Sequence, residues 1–249
     1  MGKPTNGLER MKTLIFILLL QVANLPVPSG KVQQYLDGHR TQWYGQWKQL
    51  DIVPEMAEAV VYPELLRYSA IRDIVENTLN YSTYIQKGKE GFDFSVGRFQ
   101  IKPSFVEKLE KAWMSSGLAP RYNIWFDTRN TRDARKKRIQ RLQEETWQCT
   151  YVGLFIRMLF HYYHKDMDRL SKEEQLRLAA TAYNRGCKWP PDGNGSLDGV
   201  RKHLDDRSFH FELGSGKYIL GTNDEPAPHY CYGDISLDWF NRLNTKTNH

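Results

Sequence analysis

The sequence PEMAEAVVYPELLRYS, at residues 54–69, spaces its apolar residues as on one face of a helix. The apolar positions are Met56, Ala57, Val60, Val61 and Leu65. Their three- and four-residue spacing predicts an amphipathic helix packed on a core. Pro63 lies inside the pattern and predicts a kink, because proline removes a helical hydrogen bond.

Helical patterns also dominate the rest of the chain. Glu174 follows Ser171 by three residues, the spacing of a capping box, and predicts a helix over Glu173–Asn184. Further helices are predicted over Ala70–Ser82, Pro103–Ser116, Arg132–His164 and Asp234–Leu243, a packed arm over Lys31–Asp51, and a loop or short hairpin over Lys87–Gly97. Because strand patterns are few, we expect a mainly α fold: one domain with a small loop or hairpin element.

Composition restricts the class of protein. The chain has 249 residues, of which 40% are hydrophobic and 26% charged, and it contains no repeat or low-complexity segment. These are the values of an ordinary globular protein, so a collagen-like, largely disordered or solenoid architecture is excluded. The net charge of +6 favours acidic polymers as partners but does not choose among nucleic acids, anionic glycans and membrane surfaces.

The N-terminus has the order of a secretory signal. Arg10 and Lys12 precede an apolar run over residues 13–22, and small and turn-forming residues follow it. A run of this length is too short to span a bilayer by itself. We therefore expect a signal peptide at 1–30, a mature domain at 31–249, and a periplasmic or secreted protein without stable membrane insertion. The alternative is an anchor that stays attached.

Cysteine and histidine spacing gives no metal site. Cys149, Cys187 and Cys231 allow at most one intramolecular disulfide, and buried free thiols are the simpler alternative. His161 and His164 are three residues apart, but no H-E-x-x-H motif or cysteine partner accompanies them. We expect neither a metal nor a cofactor.

The segment at residues 129–141 is strongly basic, with seven Arg or Lys residues against one Asp. We expect it to form a solvent-facing helix face. The alternative is a patch that binds an anionic polymer.

Three separate motifs carry side chains suited to glycan chemistry. Glu64 is a carboxylate within an apolar stretch, and apolar surroundings raise the pKa of a carboxyl group and suit it to general acid catalysis. FSVGRFQIKPSF, at residues 94–105, is a glycine-containing turn that places Gln100 before a helix. LAATAYNRG, at 178–186, ends a helix at Tyr183 and Asn184. Amides suit sugar hydroxyl and N-acetyl groups.

These motifs resemble those of the lytic transglycosylases, which have a lysozyme-like fold and cut bacterial peptidoglycan. The resemblance covers roughly residues 55–190, with the motifs in the family's order. The matching residues are Glu64 in the first motif, Ser95, Gly97, Gln100, Ile101 and Pro103 in the second, and Ala182, Tyr183, Asn184 and Gly186 in the third. Leu65 stands where the family usually has Ser, and Arg98-Phe99 replaces Leu-Met.

The resemblance implies a function and a role for each site residue. Glu64 would be the one catalytic carboxyl, held by Tyr183. Gln100 and Asn184 would bind sugar, and Ser95 would fix the turn or contact an N-acetyl group. The partner would be the glycan strands of peptidoglycan, and the product would end in a 1,6-anhydro sugar.

Other readings of the same sequence stay open, among them Glu64 as a structural carboxylate paired with Arg67 or Arg72. The 36-position gap from Glu64 to Gln100 leaves Glu76 as a rival for the catalytic place. A hydrolytic muramidase on the same fold would need a second carboxylate, with Asp93, Asp73 or Glu76 as candidates. A glycan-binding protein without activity is a third possibility. A nucleic-acid binder is the least favoured, because it conflicts with export and no nucleic-acid motif is present.

Overall fold

The computed structural model describes residues 29–68, 83–91, 93–189, 196–207, 209–210 and 229–247. The helices are α1 (Ser29–Gln49), α2 (Pro54–Arg67), α3 (Pro103–Ser115), α4 (Ala119–Tyr122), α5 (Arg132–Gln143), α6 (Glu145–Tyr162), α7 (His164–Met167), α8 (Lys172–Arg185), α9 (Asp198–Arg201) and α10 (Tyr232–Thr247). A 3-10 turn covers Gly88–Glu90, and two short strands, β1 (Phe209–His210) and β2 (His229–Tyr230), pair antiparallel. The expectation of a mainly α fold is confirmed.

Helix α6 lies at the centre of the hydrophobic core. Its side chains from Tyr151 to Leu159 are almost all buried, and α1, α2, α3 and α5 pack around it. Helix α8 begins at the predicted capping box: the Ser171 side chain accepts from the Glu174 backbone N–H, and Glu174 accepts from the Ser171 N–H. Side chains of the other helices pack into the same hydrophobic core.

The predicted arm at Lys31–Asp51 is instead a regular helix, α1. Trp43 and Trp47 are four residues apart and both fully buried. The Trp47 indole N–H donates to the Cys149 carbonyl of α6 at 3.0 Å. Burial of these two large rings against α6 stabilises the helix, although its sequence is polar overall.

The predicted single helix over Arg132–His164 is wrong, because the chain breaks at Glu144. This residue adopts an extended conformation, with φ −97° and ψ 121°, between α5 and α6. The break brings Arg141 of α5 and Tyr151 of α6 to the same buried carboxylate, Glu110 of α3, each at 2.6 Å.

The basic segment is only partly a solvent-facing surface. Arg138 is fully buried and donates to Glu110 at 2.9 Å and to the Tyr84 hydroxyl at 2.7 Å. Arg135 is also buried and donates to the Ile85 carbonyl. Buried carbonyl and carboxylate groups need hydrogen-bond donors. Arg135, Arg138 and Arg141 point inward because they donate to such groups on other parts of the chain. Arg132, Lys136 and Lys137 remain exposed, as predicted.

The last helix, α10, is an integral part of the core. It packs against α2 and α8. The Trp239 indole stacks on Tyr62 of α2 with ring centroids 4.0 Å apart. The same indole donates to Glu58 at 2.9 Å, and Arg40 of α1 donates to both oxygens of that fully buried carboxylate. The C-terminal segment therefore helps to fix α2.

Some predicted features lie outside the described residues. These are the N-terminal segment 1–28 and the predicted helix Ala70–Ser82. The predicted helix contains Asp73 and Glu76. Within the described ranges, no helix is long and apolar enough to cross a membrane. Cys149, Cys187 and Cys231 are free thiols, so the predicted alternative of buried thiols holds for Cys149 and Cys231, with Cys187 half-buried.

Candidate functional site

A cavity of about 440 Å³ opens where the end of α2, the turn before α3 and the end of α8 meet. The five residues predicted as site residues all line it: Glu64, Ser95, Gln100, Tyr183 and Asn184. The other lining residues are Arg67, Ile101, Lys102, Ser104, Phe105, Lys108, Arg185, Gly186, Cys187 and Trp189. The three motifs, which are distant in sequence, thus meet at one surface.

Glu64 is a carboxylate at the inner wall of this cavity. It lies in the last turn of α2 and is only 4% exposed. Arg67, one turn farther along, donates to its Oε2 at 3.2 Å. A buried carboxylate needs such partners, and the guanidinium favours its ionised form.

Tyr183 does not hold Glu64 through a hydrogen bond as the resemblance implied. Its hydroxyl donates to the Phe99 carbonyl at 2.7 Å and so ties α8 to the turn before α3. Burial, with a smaller contribution from the negative charge of Glu64, raises the pKa of Tyr183 well above its ordinary value. The Tyr183 side chain is therefore held in place by this hydrogen bond, and its phenol is neutral.

Tyr232, at the start of α10, is a site residue that the sequence did not reveal. Its hydroxyl donates to the Val60 carbonyl of α2 at 3.0 Å and interacts with the Glu64 carboxylate. Burial first, and then the charge of Glu64, raises the pKa of Tyr232 well above its ordinary value. Although Pro63 lies within α2, the helix runs unbroken from Pro54 to Arg67, so the predicted kink does not interrupt it. The Tyr232 hydroxyl therefore joins α10 to α2 one turn before Glu64.

The turn between Val96 and Ile101 shapes the opposite wall. These two residues form an antiparallel bridge, with N–H to carbonyl distances of 3.0 and 3.2 Å. Gln100 has a positive φ of 52°, and its side-chain amide donates to the Gly97 carbonyl at 2.8 Å. The hairpin element predicted near this segment is thus a tight turn centred on 97–100, just after the predicted loop.

Gln148 of α6 fixes this turn from beneath. Its Oε1 accepts from the Phe99 N–H at 3.1 Å, and its Nε2 donates to the Leu142 carbonyl at 2.7 Å. A Cβ at Gly97 would lie 1.7 Å from that Nε2. Gly97 also has a φ of +70°, which glycine adopts at the least cost. Glycine is therefore required at this position.

Ser95 and Asn184 present polar groups from two sides of the cavity. Neither side chain makes a hydrogen bond to another residue in the described ranges. The hydroxyl and the amide can therefore bind a ligand without breaking a contact within the protein. Gln100, by contrast, offers a ligand only its amide oxygen and the second hydrogen of its amide nitrogen.

Asp93 has a structural role. Both of its carboxylate oxygens accept from Ser104, from the backbone N–H at 2.8 Å and from the hydroxyl at 2.6 Å. These bonds satisfy donors in the first turn of α3, which Pro103 begins. Asp93 does not line the cavity, so the candidate for a second catalytic carboxylate is engaged elsewhere.

The charge around the cavity is strongly asymmetric. Among its described lining residues Glu64 is the one carboxylate, whereas Arg67, Lys102, Lys108 and Arg185 are cationic. An anionic or strongly polar ligand is therefore favoured electrostatically.

An apolar wall stands beside these polar groups. Phe105 meets the Tyr183 ring edge-on with centroids 6.1 Å apart, and Trp189 meets Phe155 in the same way at 6.0 Å. Trp189 is buried, and sequence reasoning did not select it. Its position three residues after the Ala-Tyr-Asn-x-Gly motif was the available signal.

No group of three or more His, Cys, Asp or Glu side chains in the described ranges could hold a metal ion. The cavity itself offers one carboxylate and one thiol, Cys187, whose pKa is raised by burial. The polar groups of the cavity can transfer a proton and form hydrogen bonds with a polar ligand.

Comparisons with models of known protein families, with curated proteins and with solved structures give no match to this chain.

Proposed function

We propose that this protein is an exported lytic transglycosylase with a lysozyme-like fold. It would cleave the bond between N-acetylmuramic acid and N-acetylglucosamine in peptidoglycan. The observation that carries the proposal is the convergence of three motifs, which extend over 120 positions from Glu64 to Asn184, on one cavity whose described lining includes a single carboxylate.

One carboxyl group suffices for the proposed reaction. Protonated Glu64 donates its proton to the glycosidic oxygen, and the C1–O bond breaks with its electron pair passing to that oxygen. An oxocarbenium-like centre forms at C1 of the muramyl sugar. The Glu64 carboxylate then takes the proton of the muramyl C6 hydroxyl, whose oxygen bonds to C1 and closes a 1,6-anhydro ring.

The contacts of Glu64 favour the ionised state that it has in the second half of this cycle. Arg67 stabilises the carboxylate that the first proton transfer leaves behind. Glu64 is buried beside Tyr183 and Tyr232, so little water reaches its carboxyl group. Ser95, Gln100 and Asn184 would bind the hydroxyl and N-acetyl groups of the sugars.

The hydrolytic alternative receives less support. A muramidase that activates water needs a second carboxylate across the sugar from the acid. Among the described lining residues only Glu64 is acidic, and Asp93 is bonded to Ser104 through both oxygens. Asp73 and Glu76, the two other candidates, lie outside the described residues.

A gel containing purified peptidoglycan tests the proposal. Wild-type protein should clear the gel, and Glu64→Gln should clear nothing, because the amide keeps the shape but cannot donate the proton. Glu55→Gln, in the first turn of the same helix and outside this cavity, is the matched control and should clear the gel. Clearing by Glu64→Gln would refute the assignment, and failure of the wild type to clear any gel would favour the glycan-binding alternative.

A further inference from the structure

We infer that a second cavity beside the Glu64 cavity binds the carboxylate groups of the glycan substrate. This inference rests on the proposed function and deepens it, because it assigns the part of the substrate that the protein recognises beyond the scissile bond.

The second cavity has a volume of about 480 Å³ and lies next to the first. Four residues line both: Lys108, Arg185, Gly186 and Cys187. A polymer chain bound at Glu64 could therefore extend a substituent into the second cavity along the end of α8.

Cationic side chains dominate the second cavity. Lys108, Arg185, Lys188 and Lys202 line it together with His203, and no carboxylate lines it among the described residues. Such a concentration of one charge sign in a concave surface attracts anions and raises their local concentration.

The acidic residues nearby neutralise only part of this charge. Asp206 forms an ion pair with Arg185 and lies 3.6 Å from the His203 ring. Asp205 pairs with Arg177, away from the cavity, at 3.3 Å. Lys108, Lys188 and Lys202 form no ion pair with any residue in the described ranges. Three ammonium groups thus remain to bind a ligand.

Carboxylates are the anions that the proposed substrate offers. The sugar rings of peptidoglycan are neutral, whereas its peptide stems carry carboxylates, and removing a stem uncovers the carboxylate of the lactyl group. Because the lysine side chain is flexible, its ammonium group can bind carboxylates that lie in more than one position. The second cavity would therefore select the anionic strand over a neutral polymer of N-acetylglucosamine.

Binding to three insoluble polymers tests this inference. The full-length Glu64→Gln variant is used so that nothing is cleaved, and its binding is measured by sedimentation with intact peptidoglycan, with peptidoglycan stripped of stems by an amidase, and with chitin. We expect binding to intact peptidoglycan to exceed binding to chitin and to weaken as ionic strength rises. Stronger binding after stripping would assign the contact to the lactyl carboxylate, and a loss on stripping would assign it to the carboxylates of the stems. Equal binding would mean that the lysines accept either carboxylate.

Substitution of two lysines completes the test. Adding Lys188→Ala and Lys202→Ala should weaken binding to intact peptidoglycan by about five- to tenfold, since exposed charge contacts are individually weak, and should leave chitin binding unchanged. Lys136→Ala with Lys137→Ala, on the exposed face of α5, is the matched control and should change neither. Equal binding by the two double variants, or equal binding to peptidoglycan and chitin, would overturn the inference. The clearing assay on wild-type protein uses none of these variants, so failure of the proposed activity is distinguishable from failure of this inference.

Discussion

The Arg67 guanidinium lies 3.2 Å from the Glu64 carboxylate, one turn farther along α2. A cation at this distance favours the ionised carboxylate, whereas the first step of the proposed reaction needs the protonated acid. Arg67 should therefore limit activity at the alkaline side of the pH range.

Replacing this arginine should extend activity to higher pH. In Arg67→Ala the carboxyl group loses its cationic partner, so the alkaline limb of the kcat/KM profile should move to higher pH. Arg67→Lys keeps the charge and should restore most of the original profile. An alkaline limb that stays in place in Arg67→Ala would show that Glu64 is not the titrating acid.

The Tyr232 hydroxyl should matter for activity more than for folding. Tyr232→Phe removes one hydrogen bond to Val60 and the contact with Glu64, so we expect a loss of about tenfold in kcat/KM and of about 1 kcal/mol in unfolding free energy. Tyr122→Phe is the control, since its hydroxyl binds Asp51 outside the cavity. Activity assays and urea unfolding measure the two effects. Equal activity of the two variants would show that the Tyr232 hydroxyl does not contribute to the site.

Sequence reasoning could select local motifs but not contacts made across the fold. Glu64, Gln100 and Asn184 were identifiable because each belongs to a short motif with its own spacing. Tyr232 was not, because it acts on α2 from 172 positions away in the chain. The buried Arg138 was missed for the same reason: only the position of Glu110 on another helix turns it inward.

One segment carried a helical signal that the prediction did not use. Val32, Leu36, Trp43, Trp47 and Leu50 are spaced as on one helix face and are all buried. The polar residues between them concealed the pattern of α1. The break at Glu144, by contrast, has no proline or glycine to mark it and depends on how α5 and α6 pack.

Gly97 should tolerate no side chain. In Gly97→Ala the new Cβ would overlap Gln148, whose amide is held by hydrogen bonds at both ends, so we expect a loss of about 2–4 kcal/mol in unfolding free energy. Gly117→Ala is the control, with a φ of +76° but nothing within 4 Å of its Cβ, and should cost about 1 kcal/mol. Urea unfolding compares them. Similar losses would mean that the Gln148 contact does not constrain the turn.

The buried Arg138 should be essential for stability, unlike its exposed neighbours. Arg138→Ala leaves the Glu110 carboxylate with fewer partners in the core and should lower unfolding free energy by about 3–5 kcal/mol. Lys136→Ala, two residues earlier on the exposed face, should stay within about 0.5 kcal/mol of wild type. Thermal and urea unfolding measure both. A small loss in Arg138→Ala would contradict the inward-facing network.

The mass of the cleaved product tests the single-carboxyl mechanism most directly. If Glu64 acts alone, the C6 hydroxyl of the muramyl sugar attacks C1, and this intramolecular attack has an effective molarity of about 10⁵ M or more. Mass spectrometry of a peptidoglycan digest should then show muropeptides ending in 1,6-anhydro-muramic acid, each lighter by one water than a hydrolytic product. Products with reducing ends, formed by wild-type protein and absent with Glu64→Gln, would contradict the transglycosylase mechanism and point to water activated by a second carboxylate.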